Sequence, residues 1–269
     1  MRRIEPISVE FPVHGFDCGW GGPLRVLPMA NFLQEAAGVS AQELGFGISE
    51  LMLRGQTWML VKLDLRVDRL PREGERIRAR TWPSGLDRLL ALRDVMLETL
   101  DGEPLVRAVY AYLVVDLEAR RPLRPERAIP ELAGIDIAAF GHCVPDFRFG
   151  ATPLDSPERR VAFSQIAGPR HLDNNGHVNN AHILDWLTDA ALMATGIIPG
   201  GNQAASAKLE LSGLRVDFLR EFLLGEEASL VHGPGAGGGQ TAGSMFTITT
   251  EVLRGGECAA RADSSWRVV

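Results

Sequence analysis

The chain has 269 residues, of which 45% are hydrophobic and 23% charged, and its formal net charge is −6. This composition is typical of a folded globular protein and excludes a fibrous or largely disordered one. The length suits two domains of ordinary size, and the negative charge argues against nucleic acid, itself an anion, as a partner.

The N-terminal segment and the cysteines predict the compartment. The first residues, MRRIEPISVEF, carry charges and a proline where a signal peptide needs an apolar core. No apolar run approaches the ~20 residues of a membrane-spanning helix. Cys18, Cys143 and Cys258 lack a C-x-x-C spacing, which indicates free thiols rather than a disulfide framework. We therefore expect a cytoplasmic protein without a membrane span.

The first half of the chain predicts one helix followed by four strands. The helix has Pro28 in its first turn, and one apolar stripe formed by Met29, Phe32, Leu33, Ala36 and Ala37. The alternating or β-branched runs that follow predict strands: MLVKLDLRV, RIRARTW, RLLALRDVMLETL and VRAVYAYLVVD. The proline-rich stretch after them has no sustained period, and we predict residues 131–160 as an interdomain linker.

The second half repeats this pattern. Its helix begins near Asn179 or Asn180, both good N-caps, and its predicted strands are KLELSGLRVDFL, ASLVHG, SMFTITTEVL and CAARADSSWRVV. NFLQEAA matches DWLTDAA, LRVDRL matches LRVDFL, and LETLDGEPLVRA matches TEVLRGGECAARA, in the same order. The predicted fold class is therefore α+β: a tandem (double) hot-dog fold over residues 1–130 and 161–269, each unit an antiparallel sheet wrapped around a central helix.

One segment, HLDNNGHVNN, is unusually polar and stands where the second helix begins. Asp173, Asn175 and His177 are spaced so that an extended backbone places all three on one side. The matching segment of the first half, GWGGPLRVLP, has no carboxylate, amide or imidazole. The backbone turn therefore does not need these groups. A carboxylate and an imidazole can activate water, and an amide can bind an oxyanion, so the pattern indicates acyl-bond hydrolysis. Glu221 supplies a second carboxylate downstream.

These residues resemble the acyl-ACP (acyl carrier protein) thioesterases of plants and bacteria, whose motif is D-x-N-x-H-V-N-N followed by a Y-R-R-E-C-like strand. The resemblance implies catalytic roles for Asp173, Asn175 and His177, and it places Glu221, in FLREF, at the family's catalytic Glu. WMLVKLDLRVDRLPREGERIRARTW and EARRPLRPERAIP also look like segments of the family's first domain. Phe222 stands at the family's Cys, so we predict no thiol nucleophile. The segment GIIPGGNQAASA lengthens the spacing before Glu221.

The resemblance implies hydrolysis of fatty acyl-ACP to free fatty acid, without metal or organic cofactor. It implies that the first unit binds the fatty acyl chain, at Phe32, Leu33, Ala36, Trp58 and Met59, and that the second is catalytic. Because acyl carrier proteins are acidic, an arginine cluster is expected to bind them: Arg120, Arg121, Arg124 and Arg127. Arg69 and Arg72 are a second candidate for this surface.

Several alternatives remain at the level of sequence. The chain could be an acyl-CoA thioesterase of the same fold. Hot-dog hydroxyacyl dehydratases and hydratases also use a His with a carboxylate, but they lack the N-x-H-V-N-N pattern. A non-catalytic acyl-binding module is a third alternative. The pattern does not distinguish Asp173 as base from Asp173 as nucleophile, and both a monomer and a homodimer are open.

Overall fold

The structure is a computed structural model that describes residues 3–19, 21–137, 139–196, 209–233 and 244–269. The segment GIIPGGNQAASA lies almost entirely outside the described residues. The chain divides into two compact units, Met1–Phe147 and Arg148–Val269. None of the described helices combines the length and the apolar character that a membrane span requires.

The first unit contains one long helix and an antiparallel sheet. In chain order its elements are β1 (Ile7–Pro12), α1 (Val26–Glu43), α2 (Ile48–Met52), β2 (Gln56–Val67), β3 (Arg76–Asp87), β4 (Leu90–Thr99), β5 (Pro104–Asp116), β6 (Arg121–Leu123) and α3 (Pro125–Ala128). The strand order is β1-β3-β4-β5-β2, and β6 pairs with β5. Helix α1 buries its predicted stripe, including Met29, Leu33 and Ala36, because these positions recur every three or four residues on one face.

The second unit has the same architecture. Its elements are β7 (Arg160–Ile166), α4 (Asn180–Ala194), β8 (Leu209–Phe218), β9 (Glu227–His232), β10 (Met245–Arg254) and β11 (Glu257–Val268). The strand order, β8-β11-β10-β9-β7, corresponds strand for strand to β2-β5-β4-β3-β1 of the first unit. The predicted duplication and the tandem α+β hot-dog fold are therefore confirmed. Strands β1 and β7 were not predicted; each stands at an end of its unit's strand order.

The residues predicted as a linker are divided between the units and held by buried carboxylates. In the first unit, Asp94 on β4 accepts the backbone N–H of Cys143 and lies 2.9 Å from His142 Nδ1. In the second unit, three sheet carboxylates accept backbone N–H groups from residues 151–154: Asp217, Glu251 and Asp263. Because buried N–H groups need acceptors, these carboxylates hold the connecting segment against each sheet.

Candidate active site

The polar segment before α4 folds into a tight turn. The backbone N–H of Asp173 donates to the carbonyl oxygen of His177 at 2.8 Å. Inside the turn, Oδ1 of Asp173 accepts the N–H groups of Asn175 (2.8 Å) and His177 (3.3 Å). Asp is favoured in such turns because its side chain bonds the backbone a few residues ahead. Gly176 completes the turn with φ of 78°, a conformation that favours glycine.

The turn is attached to its surroundings at its C-terminal end. Val178 donates its backbone N–H to the carbonyl oxygen of Phe222 at 2.9 Å, which joins the turn to the segment after β8. Asn179 is the N-cap of α4, as its Oδ1 accepts the N–H of Ala181 at 2.9 Å. The predicted helix start is confirmed. The positive end of the α4 dipole therefore adjoins the turn.

His177 and Glu221 form the side-chain pair of this site. Their Nε2 and Oε2 atoms are 3.3 Å apart, and their side chains are 33% and 44% exposed. His177 also pairs with Leu223 in an isolated β-bridge, which brings the segment carrying Glu221 alongside the turn. A carboxylate at this distance places a negative charge directly beside the imidazole ring.

The structure brings three of the four predicted catalytic residues together. Asp173 contacts the backbone of His177, and the His177 ring contacts Glu221. Asn175 stands at the exposed tip of the turn, and its side-chain amide makes no hydrogen bond within the described part of the chain. The amide is therefore available to a ligand that reaches the turn.

The first unit contains the same turn without these side chains. There Gly19 donates its N–H to the carbonyl oxygen of Pro23 at 2.8 Å, as Asp173 does to His177. Gly19 thus occupies the position of Asp173, and Pro23 that of His177. Because the backbone makes this turn with glycine and proline, the fold does not require the carboxylate or the imidazole of the second unit.

The same comparison applies to Glu221. In the first unit Leu24 donates its N–H to the carbonyl oxygen of Pro71 at 2.8 Å, just as Val178 does to Phe222. The residue before Pro71 is Leu70, so leucine stands where the second unit has Glu221. The pair of Glu221 with His177 is therefore an addition to the shared backbone frame.

A buried histidine and aromatic cluster supports the turn and was not predicted from the sequence. The ring of His171, which is 4% exposed, lies 4.9 Å from His182 and 5.3 Å from Trp186. Trp186 packs against Phe222 at 6.4 Å, which explains the apolar residue at the family's Cys position. Burial is the main cause that lowers the pKa of His171 and of His182. Within the described ranges, no group of three or more His, Cys, Asp or Glu is placed to hold a metal ion.

Comparison with known proteins finds a family match within the first unit. Residues 7–131 match the family model described as the acyl-ACP thioesterase N-terminal domain. The resemblance to the acyl-ACP thioesterases is confirmed. The chain is 26% identical over 275 residues to the chloroplastic palmitoyl-acyl carrier protein thioesterase of Cuphea hookeriana, covering 96% of this chain and 61% of the relative. It is 24% identical over 194 residues to that of Gossypium hirsutum, covering 68% and 46%. The chain thus spans only about half of the length of these relatives.

Solved structures agree on the fold. An acyl-ACP thioesterase from Bacteroides thetaiotaomicron superimposes with a TM-score of 0.77 at 21% identity, covering 97% of both chains. The 12:0-ACP thioesterase from Umbellularia californica gives 0.76 at 19% identity, covering 98% of both. At these identities the comparison shows the fold, a double hot-dog.

The residues that the thioesterase resemblance assigns to acyl binding lie in different surroundings. Leu33 and Ala36 are buried on α1, and the half-buried Phe32 stacks on Phe11 with ring centroids 4.6 Å apart. Trp58 faces the core, where its indole N–H donates to a backbone carbonyl at 2.9 Å. Met59 follows Trp58 on β2 and points to the opposite face, because successive strand side chains alternate. Contact of these residues with an acyl chain stays a prediction.

The structure distinguishes the two arginine surfaces that the acyl-ACP thioesterase resemblance suggested. Arg69 is bound by both oxygens of Glu75 at 2.7 and 3.0 Å, which raises its pKa, and Arg72 donates to the carbonyl oxygen of Gly21. The other cluster is exposed around β6 and α3 and forms no ion pair with the described residues: Arg120, Arg121, Arg124 and Arg127. This cluster, the Arg120–Arg127 surface, therefore keeps its charge available to a partner.

Proposed function

We propose that the chain hydrolyses fatty acyl thioesters of acyl carrier protein and releases the free fatty acid. The observation that carries this proposal is the pairing of His177 with Glu221 at the end of a turn closed by Asp173. The first unit makes that turn without any of the three side chains. Relatives named as acyl-ACP thioesterases and hydrolases support the same chemistry.

The reaction follows from the chemistry of these groups. Water adds to the thioester carbonyl while His177, oriented by Glu221, takes its proton. The oxyanion is stabilised by the Asn175 amide and by the positive end of the α4 dipole. The carbon–sulfur bond then breaks, and the thiolate of the carrier takes the proton from His177. Asp173 either assists in activating water or attacks the carbonyl, since its Oδ2 has no donor among the residues described.

We further propose that acyl carrier protein docks on the Arg120–Arg127 surface. Four exposed guanidinium groups stand within eight residues, and the only acid among them is Glu126. An acidic carrier is attracted by such a surface, chiefly through a faster association rate. Cell fractionation would test the cytoplasmic location that we propose from the sequence. Light scattering would distinguish a monomer from a homodimer.

The decisive experiment measures thiol release from matched thioesters. The purified chain is assayed with one saturated acyl group on acyl carrier protein and on coenzyme A, alongside His177→Ala. We expect faster turnover of the carrier thioester and at least a hundredfold loss in the variant, a typical cost of losing a general base. Equal or faster turnover of the CoA thioester would favour the acyl-CoA thioesterase alternative. Acyl binding without thiol release would contradict hydrolysis.

A further inference from the structure

Arg254 binds the backbone of the segment that carries Glu221. It is the last residue of β10, and its Nη1 donates to the backbone carbonyl oxygen of Glu221 at 2.5 Å. The same nitrogen lies 3.3 Å from Oε2 of Glu226. That oxygen also accepts the backbone N–H of Leu223 at 2.8 Å. Arg254 and Glu226 therefore hold the segment on both sides of Phe222, whose side chain is buried.

The bond from Arg254 is the one that fixes the main chain at Glu221. Within the described ranges the backbone of Glu221 makes no other hydrogen bond, whereas the residues on either side of it bond to backbone groups elsewhere in the second unit. The Glu221 side chain is 44% exposed, so few neighbours restrict it. Its distance of 3.3 Å from Nε2 of His177 therefore depends on where the main chain is held.

In the first unit a local arginine makes the same contacts. Leu70 stands where the second unit has Glu221, and Nη1 of the preceding residue, Arg69, lies 3.5 Å from the Leu70 carbonyl oxygen. Arg69 also binds Glu75 at 2.7 Å. Glu75 accepts a backbone N–H of the segment at 2.8 Å, as Glu226 does in the second unit. The loop therefore uses an arginine and an acid in both units, and the arginine can come from the loop itself.

In the second unit the arginine comes from a neighbouring strand instead. Arg220, at the position of Arg69, pairs with an acid of β11. The first-unit residue at the strand position of Arg254 is Thr99, whose hydroxyl is used within the turn between β4 and β5. A bond within a loop moves with the loop, whereas β10 is paired with strands on both sides. The unit that carries the proposed catalytic groups thus has an anchor to the sheet that the other unit lacks.

We propose that Arg254 is a positioning residue of the active site: it ties the main chain at Glu221 to β10 and so holds the Glu221 carboxylate beside His177. This inference rests on the proposed function. Arg254 acts on the chemical step through Glu221, so its loss should lower kcat and leave KM unchanged. Because a displacement of about 1 Å can cost up to ~10²-fold in rate, we expect kcat to fall roughly 5- to 50-fold.

The test variant is Arg254→Met, which keeps an unbranched side chain and removes the donor. Arg254→Lys is the conservative variant. One nitrogen makes both contacts of Arg254, so the single ammonium of lysine can replace it, and kcat should return to within about threefold of the wild-type value. The matched control is Arg215→Met: Arg215 is 34% exposed, against 32% for Arg254, and pairs with Asp263 at 3.0 Å. This control should keep the wild-type kcat.

A double-mutant cycle with Glu221→Gln separates positioning from stability. Glu221→Gln keeps the backbone carbonyl that Arg254 binds and removes the charge that Arg254 is proposed to place. In this background Arg254→Met should lower kcat for acyl-ACP by less than about twofold. A purely structural loss would lower kcat by the same factor in both backgrounds, and that result would overturn the inference. The Tm, measured on the same samples, should fall by no more than about 4 °C.

An NMR measurement tests the contact without turnover. The chain has six histidines, and the ring signals of His177 are identified by their loss in His177→Ala. Glu221→Gln should shift these signals, and Arg254→Met should shift them in the same direction, whereas Arg215→Met should not. Unshifted His177 signals, or the wild-type kcat, in a folded Arg254→Met protein would overturn the inference. If the wild-type protein released no thiol, the proposed function would fail, and the His177 signals would still decide whether Arg254 places Glu221.

Discussion

Replacing Glu221 with Gln tests whether the charge beside His177 is used in catalysis. The substitution preserves the size of the side chain and removes a negative charge 3.3 Å from Nε2 of His177. At that separation two unit charges interact by about 1 kcal/mol in water and ~5 kcal/mol at an effective dielectric of 20. Both side chains are partly exposed, so the interaction energy lost on substitution lies between these values. The value of kcat/KM should therefore fall by roughly 10- to 10³-fold.

The stability of the protein should respond very differently. Exposed ion pairs contribute about 0–1 kcal/mol to the free energy of unfolding, so the Tm of Glu221→Gln should stay close to that of the wild-type protein. The matched control is Glu257→Gln, which removes a neighbouring exposed carboxylate that pairs with Arg220. The assay is thiol release from acyl-ACP, with the Tm measured on the same samples. A folded Glu221→Gln protein with the kcat/KM of the wild-type protein would refute a catalytic use of the Glu221 charge. An equal loss of kcat/KM in Glu257→Gln would show that any nearby negative charge has the same effect.

Three further predictions concern the turn, the docking surface and the histidine cluster. Asp173→Asn keeps an oxygen for the N–H groups of the turn, so the Tm should hold while turnover falls at least tenfold; unchanged turnover would limit Asp173 to a structural role. Alanine at all four arginines of the Arg120–Arg127 surface should lower kcat/KM for acyl-ACP and weaken its decline with added salt, while kcat/KM for a short thioester mimic should not change. The same salt dependence in the wild-type protein and the variant would contradict docking on this surface. Burial lowers the pKa of His171, so the unfolded chain takes up protons before the folded chain does as the pH falls below 6.5. The free energy of unfolding should therefore decrease between pH 6.5 and pH 5, and it should decrease less in His171→Phe. Urea unfolding at each pH would measure this difference.

The sequence determined the repeated architecture because that information is local. Apolar positions every three or four residues mark α1 and α4, and alternating runs mark the strands, without reference to distant parts of the chain. The asymmetry between the repeats was visible in the same way. Asp173 and His177 align with Gly19 and Pro23, and the structure shows that both versions make one backbone turn. Comparison of the two repeats thus distinguishes the residues that the backbone turn requires from the side chains that only the second unit has.

Only the tertiary structure decided which groups meet, because pairing and burial depend on the register of segments far apart in sequence. The contact of His177 with Glu221 requires the bridge to Leu223. In the sequence Arg93 is an ordinary strand residue. In the structure its guanidinium donates a hydrogen bond to Ser40, 53 positions away, in the interior of the first unit. The sequence predicted residues 131–160 as an interdomain linker, and only the structure shows that carboxylates of the two sheets accept backbone N–H groups of this segment. Local periodicity selects helices and strands, whereas the chemistry of a side chain depends on the neighbours that folding brings to it.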